Sequence, residues 1–106
     1  VISQVYAIYD TKAASFSLPL FAPNEAVARR IFHDVVNSPR STYNMHPHDY
    51  SLVSLGTYDD ETGRHDDLDN AITICHGFEV LEPKKETQLD LVDHISKITN
   101  KAGGSK

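Results

Sequence analysis

Apolar and polar positions along the chain mark off six elements. The clearest lies within residues 21–39, FAPNEAVARRIFHDVVNSP. Ala28, Ile31, Phe32, Val35 and Val36 recur at spacings of three and four and form one broad apolar stripe. Arg29, Arg30, His33 and Asp34 fall mainly on the other side. Asn24 is a good N-cap, because its side-chain oxygen can accept a backbone N–H of the first turn. Glu25 puts negative charge at the positive end of the helix dipole. Asn37-Ser38-Pro39 ends the helix, since the residue before a proline disfavours the helical region. Burial of a side chain such as Ile31 or Phe32 contributes roughly 1.5–3 kcal/mol, so the stripe requires a sheet or a second helix to cover it.

The remaining stretches read as strands and connections. Residues 1–9, VISQVYAIY, are β-branched and aromatic and predict a strand. After the polar turn Asp10-Thr11-Lys12, residues 15–22 alternate, with Phe16, Leu18 and Leu20 on one face. Pro19 places that strand at an edge or at a bulge, and the two strands form a hairpin. Residues 37–50 read as a loop, broken by two prolines. Residues 51–58 form a third strand, with Gly56 marking a bulge or a close backbone approach. Residues 59–70 hold six acids and need water, and Thr62-Gly63 forms the hairpin tip. Residues 71–81 form the last strand, with Ile72, Ile74, His76, Phe78 and Val80 on one face at period two and Thr73, Cys75 and Glu79 on the other. Thr87 caps a second helix over 87–100, whose stripe is Leu91, Val92, Ile95 and Ile98.

The order β-β-α-β-β-α predicts an α+β fold: a four-stranded, mainly antiparallel sheet with one helix packed on a face, plus a C-terminal helix. The expected organisation is one domain over 1–82, a linker and helix over 83–100, and a disordered tail over 101–106. A length of 106 residues fits one such domain. There is no apolar run of about 18 residues, so no membrane span is expected. VISQVYAIYD lacks the regions of a signal peptide, and Cys75 is the lone cysteine. Both point to a reducing cytoplasm.

Charge sharpens the picture. The net charge is -5. Residues 1–40 carry four basic and three acidic side chains, residues 41–82 carry Arg64 against nine acids, and residues 83–106 carry five lysines against three acids. Such a chain is a poor prior for strong nucleic-acid binding, which draws on Lys and Arg. Local patches remain. Lys12, Arg29, Arg30 and Arg40 cluster in the first 40 residues, and Tyr6, Tyr9 and Tyr43 offer rings on which bases could stack. Asp59, Asp60, Glu61, Asp66, Asp67 and Asp69 form an acidic surface for a protein partner, as an inhibitor or a DNA mimic would. Leu91, Ile95 and Ile98 offer a second contact surface or a homodimer seam.

Catalytic and metal motifs are weak. His46-Pro47-His48 could hold zinc with His65, His76 or Cys75, but the spacing fits no finger or zincin pattern. The acidic run lacks the EF-hand order. Cys75 and His76 are adjacent in a strand and point to opposite faces, so they do not form a nucleophile and base. Cys75 is expected as a buried structural thiol and His76 as a hydrogen-bonded core histidine. No glycine-rich phosphate loop and no G-x-S-x-G occurs. The expectation is a protein without catalytic residues, metal or cofactor.

Two stretches, VYAIYDTKAASFSLPLFAPNEAVARRIFHDVVN and HPHDYSLVSLGTYDDETG, carry a family likeness. Tyr9-Asp10, Lys12-Ala13, Phe21-Ala22, Asp34-x-x-Asn37 and His46-Pro47-x-Asp49-Tyr50-x-Leu52-x-x-Leu55-Gly56-x-x-Asp59-Asp60-x-x-Gly63 together resemble the small nonstructural protein of microviruses, the tailless single-stranded DNA phages of the gokushovirus group. The likeness spans residues 5–80. It implies a phage protein of the bacterial cytoplasm, DNA-binding or replication-associated, acting in the switch from duplex replication to single-strand synthesis and packaging. It implies no catalytic residues. Two readings follow: a nonenzymatic single-stranded DNA binder, or a module that engages a host or phage replication protein, with a homodimer through 91–98 as a third.

Overall fold

The computed structural model describes residues 1–83. The helix expected over 87–100, with Leu91, Ile95 and Ile98, and the tail over 101–106 lie outside the described residues. Within them the chain is an α+β fold built on one antiparallel sheet. The elements are β1 (Ile2–Asp10), β2 (Ser15–Phe16), β3 (Leu20–Ala22), α1 (Glu25–Val36), α2 (Thr42–Met45), β4 (Tyr50–Asp59), β5 (His65–His76) and α3 (Gly77–Val80). The strand order is β2-β1-β4-β5, and β3 pairs with β1 on the β2 side. Both β3 and β4 run antiparallel to β1, hence parallel to each other, so α1 is the crossover between them.

α1 forms as its caps predict. The Asn24 side chain accepts from the Val27 N–H at 3.0 Å. At the other end the last carbonyls are taken by side chains: Ser41 Oγ donates to Val35 (2.9 Å) and Asn44 Nδ2 to Val36 (3.0 Å). The helix buries Ala28, Phe32 and Val36 against Tyr6 and Ile8 of β1, Leu52 of β4 and Cys75 of β5. Ile31, expected in the stripe, is 36% exposed. The buried line runs along i, i+4, i+8 with Val27 and Val35 partly buried beside it, and Ile31 falls on its margin.

Three further expectations are corrected. The strand over 15–22 is two short strands. At the break the Ser17 N–H donates to the Ile8 carbonyl (2.8 Å), and the Ser17 hydroxyl accepts from the Ile8 N–H (2.9 Å). Leu18 is consequently exposed, while Leu20 packs on the core. The loop over 37–50 contains α2, capped by Ser41, and a single 3-10 turn at Pro47–Asp49. The last strand begins earlier and ends sooner than expected. Asp66 and Asp67 are paired with β4, and Gly77–Val80 is helical.

A bulge explains why the period-two face of β5 was misjudged. Leu52 faces Cys75 but Val53 faces Thr73, which leaves Ile74 as the extra residue. The alternation therefore changes phase. Ile72, paired with Ser54, shares the α1 side with Cys75, whereas His76 lies with Ser51 on the other side. A second irregularity sits at Gly56, whose φ is 153°. A Cβ there would fall on the Asp66 carbonyl oxygen, so no other residue lets β5 approach so closely.

Asn37 fastens the end of the described chain to α1. Its Nδ2 donates to the Val80 carbonyl (3.0 Å) and the His33 carbonyl (2.8 Å), and its Oδ1 accepts from the Glu82 N–H (2.8 Å). Two substitutions test this frame by chemical denaturation. Phe32→Ala, at a fully buried ring, lowers stability by about 3–5 kcal/mol, and Ile31→Ala costs clearly less. Asn37→Ala lowers it by about 1–3 kcal/mol, because partly buried backbone groups lose their partners.

Candidate functional site

The sheet has one face under α1 and one face without a described helix. By strand alternation Tyr9, Ser51 and His76 lie on the second face. Register aligns them: Phe16 of β2 is opposite Tyr9 of β1, Tyr9 is opposite Ser51 of β4, and Ser51 is opposite His76 of β5. One row of side chains thus crosses four strands. The Tyr9 and Phe16 rings sit 4.7 Å apart between centroids, tilted by 53°. Ser51 Oγ and His76 Nδ1 are 2.7 Å apart and share a hydrogen bond.

α3 extends the row. The His76 N–H donates to Glu79 Oε1 at 2.6 Å, which fixes the start of α3. Gly77 packs so tightly on the Pro47 carbonyl that a Cβ would collide with it. This contact brings Phe78 between two histidines. His76 stacks on it at 5.3 Å with 5° between planes, and His48 at 5.0 Å with 14°. Phe16 is 52% and Phe78 46% exposed. The row therefore presents flat apolar rings and imidazole edges to the outside at one end of the sheet.

The residues expected to bind nucleic acid are distributed around this end and beyond it. Tyr9 is in the row. Lys12 is in the turn that joins the strands of Tyr9 and Phe16, a turn fixed by Asp10 Oδ1, which accepts from the Lys12 N–H (2.9 Å) and the Ala13 N–H (3.2 Å). Arg40 is exposed after α1, with φ 69°. Tyr43 is set edge-on to Tyr50, centroids 4.7 Å apart, and packs on the core under α1. Tyr6 is buried and unable to stack on a base. Arg29 and Arg30 lie on α1, across the sheet from the row. Arg29 Nε is held by Glu25 Oε2 at 2.8 Å, and its Nη2 reaches the Ile74 carbonyl at 3.4 Å. Phe16, His48, His76 and Phe78 went unrecognised as a group, because only the pairing of four strands assembles them.

The acidic residues occupy the other end. Asp59 closes β4, Asp60 and Glu61 are in the turn, and Asp66, Asp67 and Asp69 are on β5. Arg64 Nε pairs with Asp66 Oδ1 at 3.1 Å. Among the described residues no three His, Cys, Asp or Glu side chains are placed to hold a metal ion. Cys75 is buried in the core beneath α1, and burial pushes its thiol pKa up. His76, expected in the core, is exposed, because the bulge at Ile74 turns it to the open face.

A cationic group of a different kind closes α1. His33 Nε2 is 2.7 Å from Glu82 Oε2, and Nδ1 is 3.4 Å from Asp34 Oδ1. The Glu82 carboxylate, with Asp34 second, raises the His33 pKa above the ordinary 6.5.

These features define a small α+β protein whose exposed chemistry is a row of rings at one end of a sheet and carboxylates at the other. The chain belongs to the family described as Phage ORF5 protein, whose model matches residues 3–80; it is a phage accessory protein. No curated protein and no solved structure matches the chain. Among the described residues no helix is long and apolar enough to cross a membrane.

The His33 contact has a definite pH signature. Because its folded pKa is raised, its stabilising contribution is complete below pH 6.5 and is lost as pH rises through the raised value. In an NMR titration the His33 imidazole has its midpoint above 6.5, and Glu82→Gln moves that midpoint down.

Proposed function

We propose that the protein is a nonenzymatic replication or packaging-switch factor of a microvirus-like, single-stranded DNA phage, and that it contacts single-stranded DNA in the bacterial cytoplasm. The observation that carries this reading is the row Phe16–Tyr9–Ser51–His76 with the Phe78 and His48 rings beyond it. Single-strand binders hold successive bases on aromatic faces, with little regard to sequence. The two histidines supply hydrogen-bonding groups beside the rings, Ser51 being buried beneath and bonded to His76, and Lys12 and Arg40 supply positive charge at the same end of the sheet. Arg29 and Arg30 act at longer range across the molecule. The likeness of residues 5–80 to the microvirus nonstructural protein supports the same reading. A net charge of -5 keeps the affinity modest and places most of the binding energy in stacking.

Fluorescence anisotropy with a labelled, mixed-sequence single-stranded oligonucleotide tests this at low salt. Binding is expected, weakening as salt rises. Phe16→Ala weakens it by about tenfold, the loss of roughly 1–3 kcal/mol for one stacked base. Arg29→Gln has a smaller effect, since that guanidinium is held by Glu25. Absence of binding at low salt overturns the reading.

A further inference from the structure

The open face has a second feature, at the end of the sheet away from the ring row. Val5, Pro19, Phe21, Leu55 and Tyr58 line an apolar groove of about 310 Å³, with Asp67 on its rim. Register builds it from four strands. Phe21 of β3 and Gly56 of β4 both face Val5 of β1, and on β5 Asp67 faces Gly56 while His65 faces Tyr58. The Phe21 and Tyr58 rings are 5.5 Å apart, tilted by 54°, and Phe21 is 54% exposed. Folding therefore leaves one large ring half outside, against a concave surface that is nearly all carbon.

The surroundings of this groove are acidic. Asp59, Asp60, Glu61, Asp66, Asp67 and Asp69 stand at this end; the Val1 ammonium holds Asp60 (2.8 Å) and Glu61 (3.2 Å), and Arg64 is engaged by Asp66 (3.1 Å). Among the described residues Asp67 and Asp69 have no side-chain cation. We propose that the groove docks a basic protein segment: a bulky apolar side chain seated between Phe21 and Tyr58, flanked by lysine or arginine facing Asp67, which lines the groove, with Asp69 two residues on. Burial of the apolar side chain provides affinity, and the carboxylates steer the partner and fix its orientation. Nucleic acid is disfavoured here, because the same carboxylates repel phosphates. A second copy of the chain brings its own net charge of -5 to the rim and is repelled as well. This site stands independently of the proposed DNA contact, which uses the opposite end of the face.

The test uses the full chain and a fluorescein-labelled peptide of lysines and arginines with a central Leu-Trp pair. A control peptide carries serines at that pair. The apolar-anchored peptide is expected to bind at least about tenfold more tightly than the serine control. Phe21→Ser and the charge reversal Asp67→Lys each weaken it by about tenfold or more, whereas Phe16→Ala leaves it unchanged. All these positions are exposed, and circular dichroism confirms that the variants stay folded. Equal binding of the two peptides overturns the proposal, as does indifference to Phe21→Ser or to charge reversal. Weaker binding of a labelled single-stranded oligonucleotide to Phe21→Ser than to the parent chain would make the groove a nucleic-acid site. Self-association abolished by Phe21→Ser, without peptide binding, would make it an interface between copies. Either result overturns the proposal.

Discussion

The packing of α1 across β1 and β4 is the constraint from which the rest of the molecule follows. Phe32, Val36 and Leu52 are the largest side chains with essentially no exposure, and Phe32 and Val36 lie a helical turn apart on the same line. Once they are buried, the crossover from β3 to β4 is fixed, β1 becomes an interior strand and one sheet face is used up. Everything chemically expressive must then sit on the other face, at the strand ends or on the outer surface of α1. Side chains serve this arrangement at both ends of the helix. Asn24 accepts from the Val27 N–H of the first turn, and Ser41 and Asn44 donate to the Val35 and Val36 carbonyls of the last.

Features that depend on near neighbours were legible in the amino-acid order. The helix followed from its spacing and from Asn24, the first hairpin from its polar turn, the edge position of Pro19 from its missing N–H, and the backbone approach at Gly56 from glycine itself. The misjudged features depend on distant partners. Ile31 sits at the right spacing but beside the buried line of Ala28, Phe32 and Val36. The phase of β5 could not be read, since the extra residue Ile74 is defined only by which residues of β4 oppose it. Phe78 and Val80 continue the alternation of the strand, yet Gly77 bends the chain into a turn of helix against Pro47. The candidate site was visible in part for the same reason. Tyr9 and Lys12 were named from local composition, whereas Phe16, His76, Phe78 and His48 become one surface only when four strands and a turn are in register.

The two ends of the sheet carry different chemistry because the β4–β5 hairpin runs past the region covered by α1. Near Asp10, Tyr50 and His76 the strands meet the helix connections, and rings, histidines and a few cations collect there. Beyond Gly56 the hairpin has no described helix above it, and its α1-side positions include the carboxylates Asp59 and Asp66 in place of core residues. The segregation of charge is thus a by-product of length: the ribbon is longer than the helix that could cover it. One chain of modest size carries two surfaces of different chemistry, separated by the span of its own sheet.

β5 ends the strand order, so along one side its backbone donors and acceptors meet no further described strand. Such a border can template the addition of another strand from a neighbouring molecule. Here the border carries Asp66, Asp67 and Asp69. Two molecules approaching border to border would crowd like charges along the new ladder, and the repulsion grows with every rung they try to form. Like charge along this border thus opposes growth of the sheet from one molecule into the next.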